Sequence, residues 1–191
     1  MSNALTFDIR GRTAVIRFTR PESRNPLSVG VLEELTRIVD GVDGNSSIHT
    51  LYFTGSDDVF ASGANIQELA RLTMDAAREF SLRGQTLMNK VASLRPTTIA
   101  AVNGYCYGGA LDLALACDRR IASANATFCH PGAGLGIITG WGGTQRLPRL
   151  IGSANAAMMF FSATPITAEE ALRIGLIHAI DPDPFTLVCP R

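Results

Sequence analysis

An α/β fold is predicted for this sequence by three features. The chain opens with two strand-like runs, residues 5–9 and 13–18, joined through Arg10-Gly11-Arg12, a hairpin by composition. Helical stretches then alternate with short apolar runs, the order expected of an α/β chain. Finally, residues 98–118 pass from a short apolar strand at 99–102, through a turn holding Gly104, Gly108 and Gly109, into small helix formers at 110–117.

The remaining elements follow in order. Ser28 is placed as an N-cap, with Leu32, Leu35, Ile38 and Val39 on one helical face. Residues 51–54 form another short apolar run. Residues 59–66 are a small-residue loop that starts a short helix and lets backbone approach a ligand. Ala76, Phe80, Leu87, Val91 and Leu94 mark a long amphipathic helix over 75–94, stopped by Pro96. Residues 119–123 read as a strand and 126–143 as a glycine-rich loop. Helices are expected at 153–162 and 167–174, each opened by a hydroxyl residue in an N-cap position. A last strand falls at 177–180, so residues 1–180 form the core and 181–191 an irregular tail.

The central stretch carries the chemistry. A helix start leaves N–H groups without intrahelical partners and holds partial positive charge. Glycines there let a ligand oxygen come close to the backbone. Asp112 stands about one turn inside this otherwise apolar helix. Donors for an anion beside a single buried acid make a reaction centre. The plainer alternative is that an Asp in a first turn only complements the dipole.

Composition narrows the classes. With 46% hydrophobic and 18% charged residues among 191, the chain suits one globular domain. Zero net charge favours neither nucleic acid nor an anionic membrane as partner. No apolar run is long enough to span a bilayer and no secretory leader opens the chain, which points to the cytoplasm or an organelle matrix. Cys106, Cys117, Cys129 and Cys189 lack CxxC spacing and read as buried, reduced thiols. His49, His130 and His178 lie far apart without metal-ligand spacing. His130, in a glycine loop, is expected to face solvent or to pack. No complete dinucleotide fingerprint, P-loop, Gly-x-Ser-x-Gly elbow or His-Glu-x-x-His is present.

Three loops share one further pattern. Phe60-Ala-Ser-Gly-Ala-Asn-Ile66, Ala101-Val-Asn-Gly-Tyr-Cys-Tyr-Gly-Gly-Ala110 and Gly142-Gly-Thr-Gln-Arg-Leu147 resemble the signature segments of the crotonase (enoyl-CoA hydratase/isomerase) superfamily. Asn25-Pro-Leu27 and the segment 166–176 resemble two more of its motifs. The resemblance implies a spiral of ββα repeats that binds an acyl-CoA thioester, with coenzyme A carried by the substrate and no separate cofactor. It implies that the amides of Ala64 and Gly109 hold the thioester oxygen and the enolate formed from it. It places Ser23, Arg24, Ser62, Gly63, Asn65 and Ile66 along the CoA, with Tyr105, Gly108, Gly132 and Gly140 also in the substrate site. A homo-oligomer, a trimer or dimer of trimers, is implied as well.

Departures from the family pattern bear on the reaction. Its hydratases use two glutamates; the first position here is Asp112 and the second is Gly132, which has no side chain. Asp112 is then the single retained acid/base of a hydratase- or isomerase-type reaction. Two alternatives stand beside it: decarboxylation of a malonyl-type thioester, and a non-catalytic acyl-CoA binder. Family members continue into C-terminal helices, so this chain is expected to lack that region, to expose apolar surface and to oligomerise or be poorly soluble. Trp141 lines an acyl pocket or packs within its loop.

Overall fold

The structure, a computed structural model, describes residues 4–182 and residue 184. β1 (Leu5–Arg10) and β2 (Thr13–Phe18) form the expected antiparallel hairpin, with Arg10 opposite Thr13. A 3-10 turn at Pro21–Ser23 and β3 (Pro26–Leu27) follow. This loop is pinned by buried Asn25, whose amide donates to the carbonyls of Val59 and Phe60 and accepts from the Arg20 N–H. Ser28 caps α1 (Val29–Asp43) by accepting from the Val31 N–H; Leu32, Leu35 and Val39 are buried along one face.

From here a unit recurs: a strand in a large sheet, a strand in a smaller one, then helix. β4 (Thr50–Thr54) leads to β5 (Val59–Ala61), β6 (Gly63–Ala64), α2 (Ile66–Leu69) and α3 (Met74–Ala92). β7 (Thr97–Val102) leads to β8 (Tyr105–Tyr107) and α4 (Gly109–Ala116). β9 (Arg119–Ala122) leads to β10 (Thr127–Cys129), α5 (Gly143–Ile151) and α6 (Ser153–Ser162). β11 (Ile166–Thr167), α7 (Ala168–Arg173) and β12 (Ala179–Ile180) close the described chain. The large sheet runs β1-β2-β4-β7-β9-β12 and is parallel after its opening hairpin; the smaller runs β11-β10-β8-β5, and β3 pairs with β6. This is the α/β spiral of ββα units that the sequence resemblance implies.

The chain at α4 explains why the site sits where it does. All residues from Ala110 to Ala116 are buried, as a helix apolar on every side requires. Its C-terminal carbonyls still need donors. Arg120, itself buried, supplies them by donating to the carbonyls of Ala114 and Cys117. Asp118 accepts from the Thr98 N–H and hydroxyl, which ties the helix exit back to β7.

Three sequence expectations need correction. Residues 59–66 are not one loop: they hold β5 and β6 ahead of α2. Residues 126–143 are not one loop: they include β10, whose Phe128 is fully buried, and a 3-10 turn at Pro131–Leu135. Helix α6 is capped by Gly152, not by a hydroxyl residue, and Ser153 is its first helical residue. Thr167 does cap α7, accepting from the Glu170 N–H. Cys106, Cys117 and Cys129 are buried free thiols. Cys189 and most of the 181–191 tail lie outside the described residues. Among the described residues no helix is long and apolar enough to cross a membrane, and no cluster of His, Cys, Asp and Glu fit for a metal ion occurs.

Candidate active site

Two backbones meet at the centre of the molecule. Gly63 adopts φ +82, a left-handed conformation open to glycine, and sits against the backbone of Gly108 and Gly109. A side chain there would overlap the Gly109 nitrogen and come within 2.7 Å of the Tyr107 carbonyl. The contact places β6 beside the start of α4. Gly109 is the first residue of that helix, so its N–H has no intrahelical carbonyl to meet.

Beside this contact lies a cavity of about 190 Å³. Ser62, Ala64, Ile66, Gly108 and Gly109 line one side; Gly132 and Gly140 line the other. Leu69, Phe80, Leu135, Ile137, Ile138 and Trp141 make much of the wall apolar. Of the other residues expected at the site, Asn65 caps α2 by accepting from the N–H groups of Gln67 and Glu68. Ser23 donates to the Arg20 carbonyl. Arg24 lies with its guanidinium 5.1 Å from the centre of the Tyr105 ring, which stacks on Tyr107. Its own carbonyl accepts from the Ser62 N–H, so this arginine adjoins the cavity rim through backbone.

Asp112 does not line the cavity. Its side chain is fully buried behind the wall, where the Thr139 hydroxyl donates to Oδ2. The backbone of Gly143, at the start of α5, lies against Oδ1 so closely that any side chain at 143 would strike it. His130 Nε2 stands 3.7 Å from Oδ1. Burial pushes the Asp112 carboxyl up to about 7, although the Thr139 hydroxyl, the Arg146 charge and a Trp141 backbone bond all pull it down. Burial likewise lowers His130 to about 4, so its imidazole is neutral at pH 7. Oδ1 of Asp112 and both His130 nitrogens are buried without a hydrogen-bond partner.

Of the two places expected for His130, facing solvent or packing, the structure shows packing: it is 3% exposed, with its ring against Phe160 at a centroid distance of 5.0 Å. Thr139 carried no sequence signal beyond being a hydroxyl residue in a glycine loop. Trp141 lines the cavity, but it packs on α3 and α4, against Phe80, Gly84 and Gly109, and not within its own loop. At Gly132 a Cβ would lie 2.6 Å from the Ile137 carbonyl oxygen. In this loop conformation no carboxylate fits at that position.

In this spiral, two glycine-lined backbones meet at a cavity, the arrangement that the resemblance of its loops to the crotonase superfamily implies. The chain belongs to the enoyl-CoA hydratase/isomerase family, which it matches over residues 8–188. It is 37% identical over 179 residues to a short-chain-enoyl-CoA hydratase of Clostridium acetobutylicum, covering 93% of this chain and 69% of that one. It is 41% identical over 170 residues to a crotonyl-CoA hydratase of Syntrophomonas wolfei, covering 88% and 65%. Among solved structures, an enoyl-CoA hydratase from Bacillus anthracis superposes with a TM-score of 0.90 at 34% identity, covering 94% of this chain and 70% of that one. The chain thus spans about two thirds of its relatives' length.

Proposed function

We propose that the protein acts on an acyl-CoA thioester by stabilising an enolate, in a hydratase- or isomerase-type reaction with Asp112 as its single acid/base. The observation that carries this reading is the close approach of Gly63 to Gly109, which brings Ala64 and Gly109 to the rim of one cavity. Fixed backbone donors aimed at a developing oxyanion are worth about 10²–10³ in rate each. An ordinary substitution cannot delete a backbone N–H, so the sequence at these positions reads as small residues. CoA, brought by the substrate, is the one nucleotide group needed, with no separate cofactor. Arg24, stacked over Tyr105, is suited to meet a phosphate on the rim. The working form is a homo-oligomer, consistent with exposed Met74, Met158 and Phe161.

Hydration of crotonyl-CoA, followed by loss of the enoyl absorbance, tests the reading. The expected result is turnover by the wild type and a fall of about 10²–10⁴-fold in Asp112→Asn. Equal rates in the two proteins would remove Asp112 from the chemistry. A second reading, decarboxylation of a malonyl-type thioester, is favoured by one feature: among the described residues no Asp or Glu lines the cavity to repel a substrate carboxylate. Carbon dioxide release from methylmalonyl-CoA without hydration of crotonyl-CoA would select it.

A further inference from the structure

The acid on which the proposed reaction depends is sealed from the substrate. Asp112 has no exposed surface, and among the described residues no Asp or Glu lines the cavity. The polar side chains on the wall belong to Ser62, Ser81, His130 and Thr139. Ser62 and Ser81 make no hydrogen bond to Asp112. His130 approaches it, but both of its nitrogens are shut away from the cavity and make no hydrogen bond. Thr139 alone is on the wall and hydrogen-bonded to the carboxyl, through Oγ1 to Oδ2.

Resting on the reading of Asp112 as acid/base, we propose that the Thr139 hydroxyl is the catalytic group presented to the substrate, passing protons between the cavity and Asp112. In hydration, the attacking water donates to Thr139 Oγ1. Its oxygen bonds to the β-carbon while the α,β π pair moves towards the thioester oxygen as an enolate. The proton leaving the water goes to Oγ1, and the proton of Oγ1 goes to Asp112 Oδ2. The enolate pair then takes a proton at the α-carbon from Oγ1, which recovers one from Oδ2. Carboxylate, hydroxyl and carbonyl are restored, one water has been added, and no electron is gained or lost. A single relay replaces the pair of acids that would otherwise share the task.

Only Asp112 titrates in this relay. The groups that face it are His130 across Oδ1, Arg146 from α5, whose charge favours the carboxylate, and Cys106 on β8. Burial outweighs them and holds the carboxyl at about 7, so the ionised form that starts the relay, and with it the rate, grows as pH rises through neutrality.

Thr139→Val keeps the side-chain shape and removes the hydroxyl, whereas Thr139→Ser keeps the hydroxyl. On crotonyl-CoA, Thr139→Val is expected to lower kcat by about 10²-fold or more. Its KM should stay within about threefold of wild type, and Thr139→Ser should retain kcat within about fivefold. The ascending limb near neutral pH persists in Thr139→Ser and disappears from the residual rate of Thr139→Val, a change that mere loop packing would not make. Thermal melts check folding; if Thr139→Val lacks a cooperative melt, Thr139→Ala is compared with Thr139→Ser in its place. Wild-type kcat in the hydroxyl-less variant, with Asp112→Asn inactive, overturns the relay and leaves the role of Asp112 standing. An inactive wild type overturns both.

Discussion

At the scale of single residues, Asp112 and His130 make opposing contributions to stability against pH. Asp112 has a folded pKa of about 7 against an ordinary 3.8, so between these values the native state holds a proton that the unfolded chain has lost. Stability from this group falls as pH rises through that window, by on the order of 4 kcal/mol. His130 has a folded value of about 4 against 6.5, so the unfolded chain binds the extra proton between them. Its contribution therefore rises with pH over that window, by on the order of 3 kcal/mol. The two nearly cancel below pH 6.5. Single variants should separate them: Asp112→Asn leaves stability rising between pH 4 and 6.5, and His130→Gln leaves it falling from pH 4 to 7. Urea unfolding at a series of pH values measures both slopes. Parallel profiles in the two variants would mean that neither group is buried as described. Asp112 was legible in the sequence as a lone acid in an apolar helix, but whether burial or the helix start would set its pKa was not, because that depends on what covers the carboxyl.

At the scale of elements, local signals carried far. The Ser28 cap and the apolar face of α1, the hairpin of β1 and β2, and the buried character of α4 all follow from residues a few places apart. Helix α5 was not read, because it opens on glycine and carries Pro148 inside. The place of Asp112 behind Thr139 was not readable either, since that contact joins residues 27 apart. The same holds for Trp141, whose ring fits only because α3 and α4 each offer a glycine to it, Gly84 and Gly109. A Cβ at Gly84 would overlap the indole. Gly84→Ala should therefore overpack the core by about 1–3 kcal/mol. That lowers Tm by on the order of 5 °C for a chain of this size. As the chain has one tryptophan, its emission reports the same displacement. Unchanged melting and emission would show that the indole is not wedged between these helices.

At the scale of the whole molecule, one helix turns one side to the site and the other to solvent. The inner side of α6 places Phe160 against His130, which stands beside Asp112. Its outer side presents Met158, 69% exposed, and Phe161, 80% exposed. Residues three apart on a helix are neighbours, so these two side chains form one apolar ridge. Single exposed apolar residues are ordinary on protein surfaces, but a contiguous ridge of two large ones is suited to a partner face. Covering it with a second copy would also brace the helix that backs His130. The double variant Met158→Glu/Phe161→Glu should then lower the mass found by light scattering, because a carboxylate costs too much to bury unpaired. Its melt should lose its dependence on protein concentration, as expected when binding no longer stabilises the fold. An unchanged mass would take the outer face of α6 out of the interface, and with it the coupling between assembly and site.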